Sequence, residues 1–342
     1  MNANLGICLI GAGRAGMIHA RNFAFRLPGA RVTAVCDVQT ENARAAADEL
    51  GASWHTDFHA ALDRPDVDAV VIVTPTRRHR DVALAAAHAK KHIFCEKPLA
   101  IDAPSCVEMI RAAARNGVIL QVGFMRRFDA GFCRAREIIE SGAIGDVVCV
   151  KSLTRGPSTP RAWMYDLAES NGPLAEVNSH DIDTVRWLTG SEVGAVHAFA
   201  GNYRCEEARR SHPDFYDTVL MNLRMENQML GGVEGAQGVQ YGYDARVDVL
   251  GTKGSVQAGG LRETNTLLYT REGGLRGDVA GSWTTLFADA YLREDAAFLA
   301  CVREGRPPEV SGEDGLRAVE TVEAGNRSIA TGGVVTPQRA AL

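Results

Sequence analysis

Short, almost wholly apolar runs separated by amphipathic stretches occupy the first third of the chain. LGICLI, ARVTAVC, VDAVVIV and VILQVGF lack the strict alternation of a half-exposed strand, and HIFCE is a shorter run of the same kind. They read as strands covered on both faces. Between them, the stretch near Arg80–Lys90 and APSCVEMIRAAARNG carry helical spacing, the second stopped by Gly117. Repeated β-α-β of this kind predicts a doubly wound parallel sheet of the Rossmann type over residues 1–125. After Phe124 the pattern changes. RRFDAGFCRAREIIESG reads as a helix, GDVVCVKSLTRG as a strand, and from Val193 to about Tyr269 strands and turns alternate. Two helical segments, around Leu286–Arg303 and Gly312–Ala330, finish the chain. Residues 126–342 therefore predict an α+β domain on a mainly antiparallel sheet, joined to the first with no low-complexity linker. A ligand site between two such domains is the natural expectation.

The turn after the first strand carries Gly11, Gly13 and Gly16 in G-x-G-x-x-G spacing, ahead of a helix. Gly11 permits the tight turn, Gly13 lets the backbone approach a pyrophosphate, and Gly16 allows close packing of helix on strand. Asp37 ends the second strand, where an acid binds the hydroxyls of an adenosine ribose. The ligand of such a sheet sits at the carboxyl ends of its strands. That rule singles out Thr74-Pro75, Glu96-Lys97-Pro98 and Gly123-Phe124. Lys97, stiffened by Pro98, would aim at the reactive end of the dinucleotide; its alternative is a solvated loop lysine.

GPLAEVNSHDIDTVRWLTG (172–190) reads as one helix with an apolar face of Leu174, Val177, Ile182, Val185, Trp187 and Leu188. Glu176, Asn178, Ser179, His180, Asp181 and Asp183 crowd into its first two turns, where a surface helix would scatter its charge.

Composition narrows the choice. The chain has 342 residues, 46% hydrophobic and 23% charged, with formal net charge −5. That is enough for two ordinary cores. A mildly acidic chain without a long basic run is no candidate for nucleic acid, and no apolar stretch approaches membrane-spanning length. MNANLGICLIGAG has no basic segment before its apolar run, so no cleaved leader is expected. The eight cysteines form no C-x-x-C pair and lie mostly in apolar runs, as in a reducing, cytoplasmic setting. His55/His59 and His88/His92 have helical i, i+4 spacing but no third ligand nearby, so they read as surface residues and no metal is expected.

The chain resembles the glucose–fructose oxidoreductase/inositol dehydrogenase family, on GAGRAG, VIVTPTRRH, EKPLA, VGFMRRFD, HDIDTVRWL, YGYDARVDVLGTKG and GRPPEVSGEDGLRAVE in this order. GFMRRFD and YGYD look closest to the inositol dehydrogenase branch. The resemblance implies a Rossmann domain followed by an open-faced sheet domain, with homodimers or homotetramers formed through that sheet. It implies NAD rather than NADP, bound by Gly11, Ala12, Gly13, Ala15, Gly16, Met17, Asp37, Val38, Thr74, Pro75, His79, Glu96, Lys97 and Arg126. The family's catalytic set, a lysine plus an acid and a histidine four residues apart on one helix, falls on Lys97, Glu176 and His180. On one helix, positions i and i+4 share a face. Arg126, Arg155, Asp183 and Tyr243 join these three around a small polyol or sugar. The family usually has Asp where this chain has Glu176, whose carboxylate reaches one methylene further. The activity implied is oxidation of a secondary hydroxyl of a cyclic polyol, myo- or scyllo-inositol first. A sugar, glucoside or anhydro-sugar dehydrogenase or reductase is the alternative, and a non-catalytic dinucleotide sensor the rival from another class.

Overall fold

The computed structural model describes residues 4–342. They divide into two compact units: residues up to Phe128 with Asp289–Val319 and Arg339–Leu342, and Asp129–Ala288 with Glu320–Gln338.

The apolar runs of the first unit form β1 (Leu5–Ile10), β2 (Ala30–Cys36), β3 (Ser53–His55), β4 (Ala69–Ile72), β5 (His92–Glu96) and β6 (Leu120–Gly123). They lie in the order β3-β2-β1-β4-β5-β6, and every pair is parallel. The connections carry α1 (Arg14–Arg21), α2 (Thr40–Leu50), α3 (Phe58–Leu62), α4 (His79–His88) and α5 (Ala103–Asn116). Asp102 caps α5 by accepting from the Ser105 N–H at 2.7 Å, and Gly117 ends it in the left-handed conformation. Strand order reverses between β1 and β4, the switch point at which open parallel sheets take their ligands.

A division at 125/126 does not describe this unit, because the chain comes back into it. Phe298 meets Phe94 of β5 edge-on at 5.7 Å and Phe23 at 6.5 Å, and Ser311 bridges Gln121 of β6. The physical reason is that the apolar face of the helix Ala288–Glu304 finds its cover in this core, with Leu299 in the same cluster.

The second unit contains α6 (Ala130–Glu140), β7 (Val147–Gly156), α7 (Leu167–Ser170), α8 (Gly172–Glu176), α9 (Ser179–Thr189), β8 (Val193–Gly201) and α10 (Glu206–Ser211). Then come β9 (Thr218–Met225), β10 (Leu230–Gln237), β11 (Asp244–Gly251), β12 (Ser255–Gly260), a hairpin of β13 (Arg262–Thr270) and β14 (Gly274–Val279), and α11 (Trp283–Leu286). The chain ends with α12 (Ala288–Glu304) and α13 (Gly312–Thr331), within which the division of units falls. The sheet order is β12-β11-β7-β10-β9-β8, antiparallel except for the parallel pair β7–β10. Strict alternation in β9 and β11 buries one face. α9 packs on that face, and the end of α13 brings Gly325 against Leu174 and Met221. The other face presents Phe199, Leu220, Leu230 and Leu250, each at least half exposed. The predicted open sheet domain is thus present.

Candidate active site

Each glycine of the first turn meets the constraint its spacing implies. Gly11 has φ +102°, and a β-carbon there would run into the Val73 carbonyl beside it. A β-carbon on Gly16 would overlap the Gly11 carbonyl oxygen, so α1 is drawn tightly against the turn. At Gly13 a β-carbon would meet nothing. That open space faces the start of α1, where no side chain caps Gly13 and the first N–H groups have no acceptor within the helix. A pyrophosphate fits there. Asp37 stands at the rim: Oδ2 accepts from the Ala12 N–H at 2.8 Å and Oδ1 from the Gln39 N–H at 2.9 Å. Val38 beside it is exposed, and Met17, two residues after Ala15, packs on the core. At the end of β4, before Pro75, Thr74 Oγ1 is buried with no hydrogen-bond partner among the described residues. An open cradle, a rim carboxylate and an orphaned hydroxyl at the switch point fit a dinucleotide.

Two residues expected to touch the cofactor are turned inward instead. His79 is buried, with Nδ1 2.8 Å from the Pro98 carbonyl oxygen and Nε2 2.9 Å from that of Thr74. Both of its ring nitrogens are taken up between the two strand-end turns, with the single N–H of a neutral ring donating to one of the carbonyls, and neither is left for a cofactor. Burial holds its pKa below the ordinary imidazole value against the pull of those carbonyls. Glu96 points into the unit, where Oε1 lies 3.1 Å from His19 Nε2 and Oε2 accepts from the Lys97 N–H at 2.9 Å. His19 Nδ1 lies 2.7 Å from Asp295 Oδ1, and Asn22 donates to Asp295 Oδ2 at 2.8 Å. Glu294 completes the group. Burial opposes a charge on His19, but Asp295 and Glu96 outweigh it and raise its pKa well above the imidazole range. Burial likewise opposes ionisation of Glu96, yet His19 and Lys97 bring its pKa below the ordinary carboxylate value. For Glu294, burial and then the Glu96 charge push the pKa well up. These directions favour the imidazolium form of His19 and the protonated form of Glu294, while burial also raises the pKa of Asp295.

His19, Glu294 and Asp295 were not among the candidates, because their partners lie far off in sequence. The available signal was that His19 stands at i+3 from the buried Gly16 and so on the sheet side of α1. Lys97 is half-buried and joined to Pro98 by a cis peptide bond, and Arg126 is fully buried in the turn Met125–Phe128.

In the second unit, 172–190 is two helices rather than one. α8 stops at Glu176 and α9 starts at Ser179, with Val177 and Asn178 forming a right-handed turn between them. Glu176 and His180 therefore stand on different helices, and the shared-face argument does not apply to them. The break is held by Asn178, which donates to Asp181 Oδ2 at 2.8 Å and to the Glu234 carbonyl at 3.1 Å. Asp181 also accepts from Ser152 and Thr154 of β7, both at 2.6 Å. It is a strut between α9 and the sheet, not part of a polar wall. His180 and Asp183 do share one side of α9; both are buried, and Asp183 lies 3.5 Å from Arg186, which also pairs with Glu192.

Arg155 is a correction. Its neighbours Ser152 and Thr154 face α9, so strand alternation turns Arg155 to the opposite face, where Nε donates to Glu234 at 2.7 Å and Nη1 to Tyr241 at 3.3 Å. Tyr243 is buried against Gly156 and edge-on to Phe287 at 6.4 Å. Of the paired histidines, His55 lies in β3 and His92 in β5 rather than on helices, while His59 and His88 are exposed. All eight cysteines are free, six of them buried. Among the described residues no helix is long and apolar enough to cross a membrane.

Comparison with known proteins identifies the family. Residues 5–124 match the model of an oxidoreductase family with an NAD-binding Rossmann fold, and 132–257 that of the GFO/IDH/MocA C-terminal domain. A myo-inositol 2-dehydrogenase of Thermotoga maritima is 34% identical over 94% of this chain and 96% of its own. A scyllo-inositol 2-dehydrogenase (NAD(+)) of Bacillus subtilis is 34% identical over 95% and 94%. Among solved structures, scyllo-inositol dehydrogenase from Lactobacillus casei with bound NAD(H) and scyllo-inositol superposes with a TM-score of 0.90. It is 27% identical and covers 97% of this chain and 99% of its own. The chain belongs to the GFO/IDH/MocA family of NAD-binding oxidoreductases.

Proposed function

We propose that the protein oxidises a secondary hydroxyl of a cyclic polyol, an inositol first, to the ketone. What supports this most is that relatives matching nearly the whole chain are named for inositol oxidation, while Lys97, Glu176 and His180 are all present here. Bound NAD supplies the hydride acceptor. Gly11, Gly13, Gly16 and Asp37 hold it, with Thr74 and Arg126 as further contacts. His180 takes the hydroxyl proton as general base. Lys97, as a cation, stabilises negative charge on the reacting oxygen. Glu176 orients the hydroxyl or the lysine, and Asp183 and Tyr243 contact the remaining polyol. The open face of the second sheet serves assembly into a homodimer or homotetramer, and the free cysteines support a reducing, cytoplasmic setting.

The test is NAD+ reduction, followed by NADH absorbance, across inositol isomers, monosaccharides and glucosides. An inositol should give the highest kcat/KM. Lys97→Met should lower kcat roughly a hundredfold or more with NAD+ binding retained. His180→Ala should cost about 10²–10⁴, partly recovered at high pH, where the alcohol loses its proton more easily. A sugar outrunning every inositol, or no turnover at all, overturns the reading.

A further inference from the structure

A continuous buried chain of polar groups ends on the peptide that carries Lys97. Asp295 is held by Asn22 and His19, His19 faces Glu96 Oε1, and Glu96 Oε2 accepts the Lys97 N–H. None of these four side chains belongs to a residue more than 6% exposed. Glu96 must fold back beneath its own strand end to do this, and β6 provides the room. Its pairing partner there is Gly123, where a β-carbon would lie 3.1 Å from Glu96 Cδ and 3.2 Å from Oε2. Buried ionic groups are a poor way to gain stability, since apolar residues of similar volume often do as well. What they give here is direction. The Lys97 N–H can only donate and Glu96 Oε2 accepts from it, so the peptide has one favoured orientation. His19, Glu96 and Glu294 have ligand atoms within 4.8 Å of one another. A metal ion would still have to displace His19 from both of its carboxylates.

We propose that Asp295–His19–Glu96 is the positioning element of Lys97, fixing the backbone from which the lysine reaches the reacting oxygen. The inference rests on the catalytic reading of Lys97. Glu96 thereby acts through Lys97 rather than on the cofactor, and His19 and Asp295 act through Glu96.

A double-mutant cycle tests it, with NAD+ and myo- or scyllo-inositol, whichever turns over faster. Glu96→Ala should lower kcat roughly 10- to 100-fold, the scale of a misplaced catalytic group, with NAD+ affinity held within about threefold. Glu96→Gln keeps an acceptor for the Lys97 N–H and should stay within about threefold of wild type in kcat. In a Lys97→Met background, Glu96→Ala should cost less than about twofold more. Should Glu96→Ala fail to fold, Gly123→Ala replaces it, since it crowds the carboxyl and leaves the chain's chemistry intact. It should lower kcat in wild type and be silent beside Lys97→Met. Additive losses, or unchanged kcat in the folded single variant, overturn the positioning role. Near-normal kcat in Lys97→Met alone would instead overturn the reading on which it rests.

Discussion

Glu294 offers a quantitative check on the buried cluster. Both its carboxyl oxygens are buried without a hydrogen-bond partner among the described residues, and burial, then the charge on Glu96, push its pKa well up. Replacing it by Gln removes the titration at nearly constant shape. The facing groups, Glu96, His19 and Asp295, are the same in both proteins. An acid with a raised native pKa binds its proton more tightly folded than unfolded, so stability falls as pH rises above the unfolded value of 4.5. The slope is about 1.4 kcal/mol per pH unit until the native pKa is reached. Above about pH 5, wild type should lose about 1.4 kcal/mol per pH unit relative to Glu294→Gln for as long as the folded protein holds the proton. Domains of this size shift by about 2–4 °C per kcal/mol, so the gap in Tm should open by roughly 3–6 °C per pH unit. Thermal unfolding of both proteins at several pH values measures it. Two Tm curves that run parallel above about pH 5 would refute a proton held on Glu294.

Two further outcomes follow from the same geometry. Asp181→Ala leaves Ser152, Thr154 and Asn178 without their common acceptor. It should cost about 3 kcal/mol or more in stability and lower kcat by loosening α9 under His180; an unchanged Tm would show that the strut carries no load. Asp37→Ser removes the charge that repels a 2′-phosphate and should narrow the preference for NAD over NADP by roughly tenfold, about 1.4 kcal/mol, in kcat/KM. Wild-type enzyme using both cofactors equally would contradict that role.

The strands of the first sheet were legible because each is a short apolar run bounded by turn residues, and local composition decides such strands. The glycine turn was legible for the same reason: its constraints act between residues only a few positions apart, apart from the contact of Gly11 with Val73. Where partners are distant, pattern failed. Nothing around His19 announces that its ring meets Glu96 on one side and Asp295 on the other. In 172–190 the apolar spacing continues across Val177 and Asn178, so periodicity sees one helix. The turn is held by Asn178, whose amide bonds Asp181 three residues on and, as a tertiary contact, the Glu234 carbonyl of β10. Asp181 and Asp183 look alike in sequence, yet one braces the sheet while the other stands beside Arg186 on the side of His180. Arg155 lies one step of strand alternation from Thr154, and so on the face of β7 away from α9.

The return of α12 to the first unit bears on how the protein is made. Synthesis runs from the N-terminus, and early domains ordinarily fold while the remainder is still being added. Here the six parallel strands emerge first, but Phe94 and His19 wait for Phe298 and Asp295, and Gln121 for Glu294 and Ser311. Until then the nascent Rossmann sheet carries an uncovered apolar flank and a histidine with only one of its two carboxylates. The dinucleotide-binding unit is translated before the sheet domain and cannot be finished until Asp289–Val319 arrives. A fragment ending near Phe128 should therefore be a poor mimic of that unit, and one restoring Asp289–Val319 a better one.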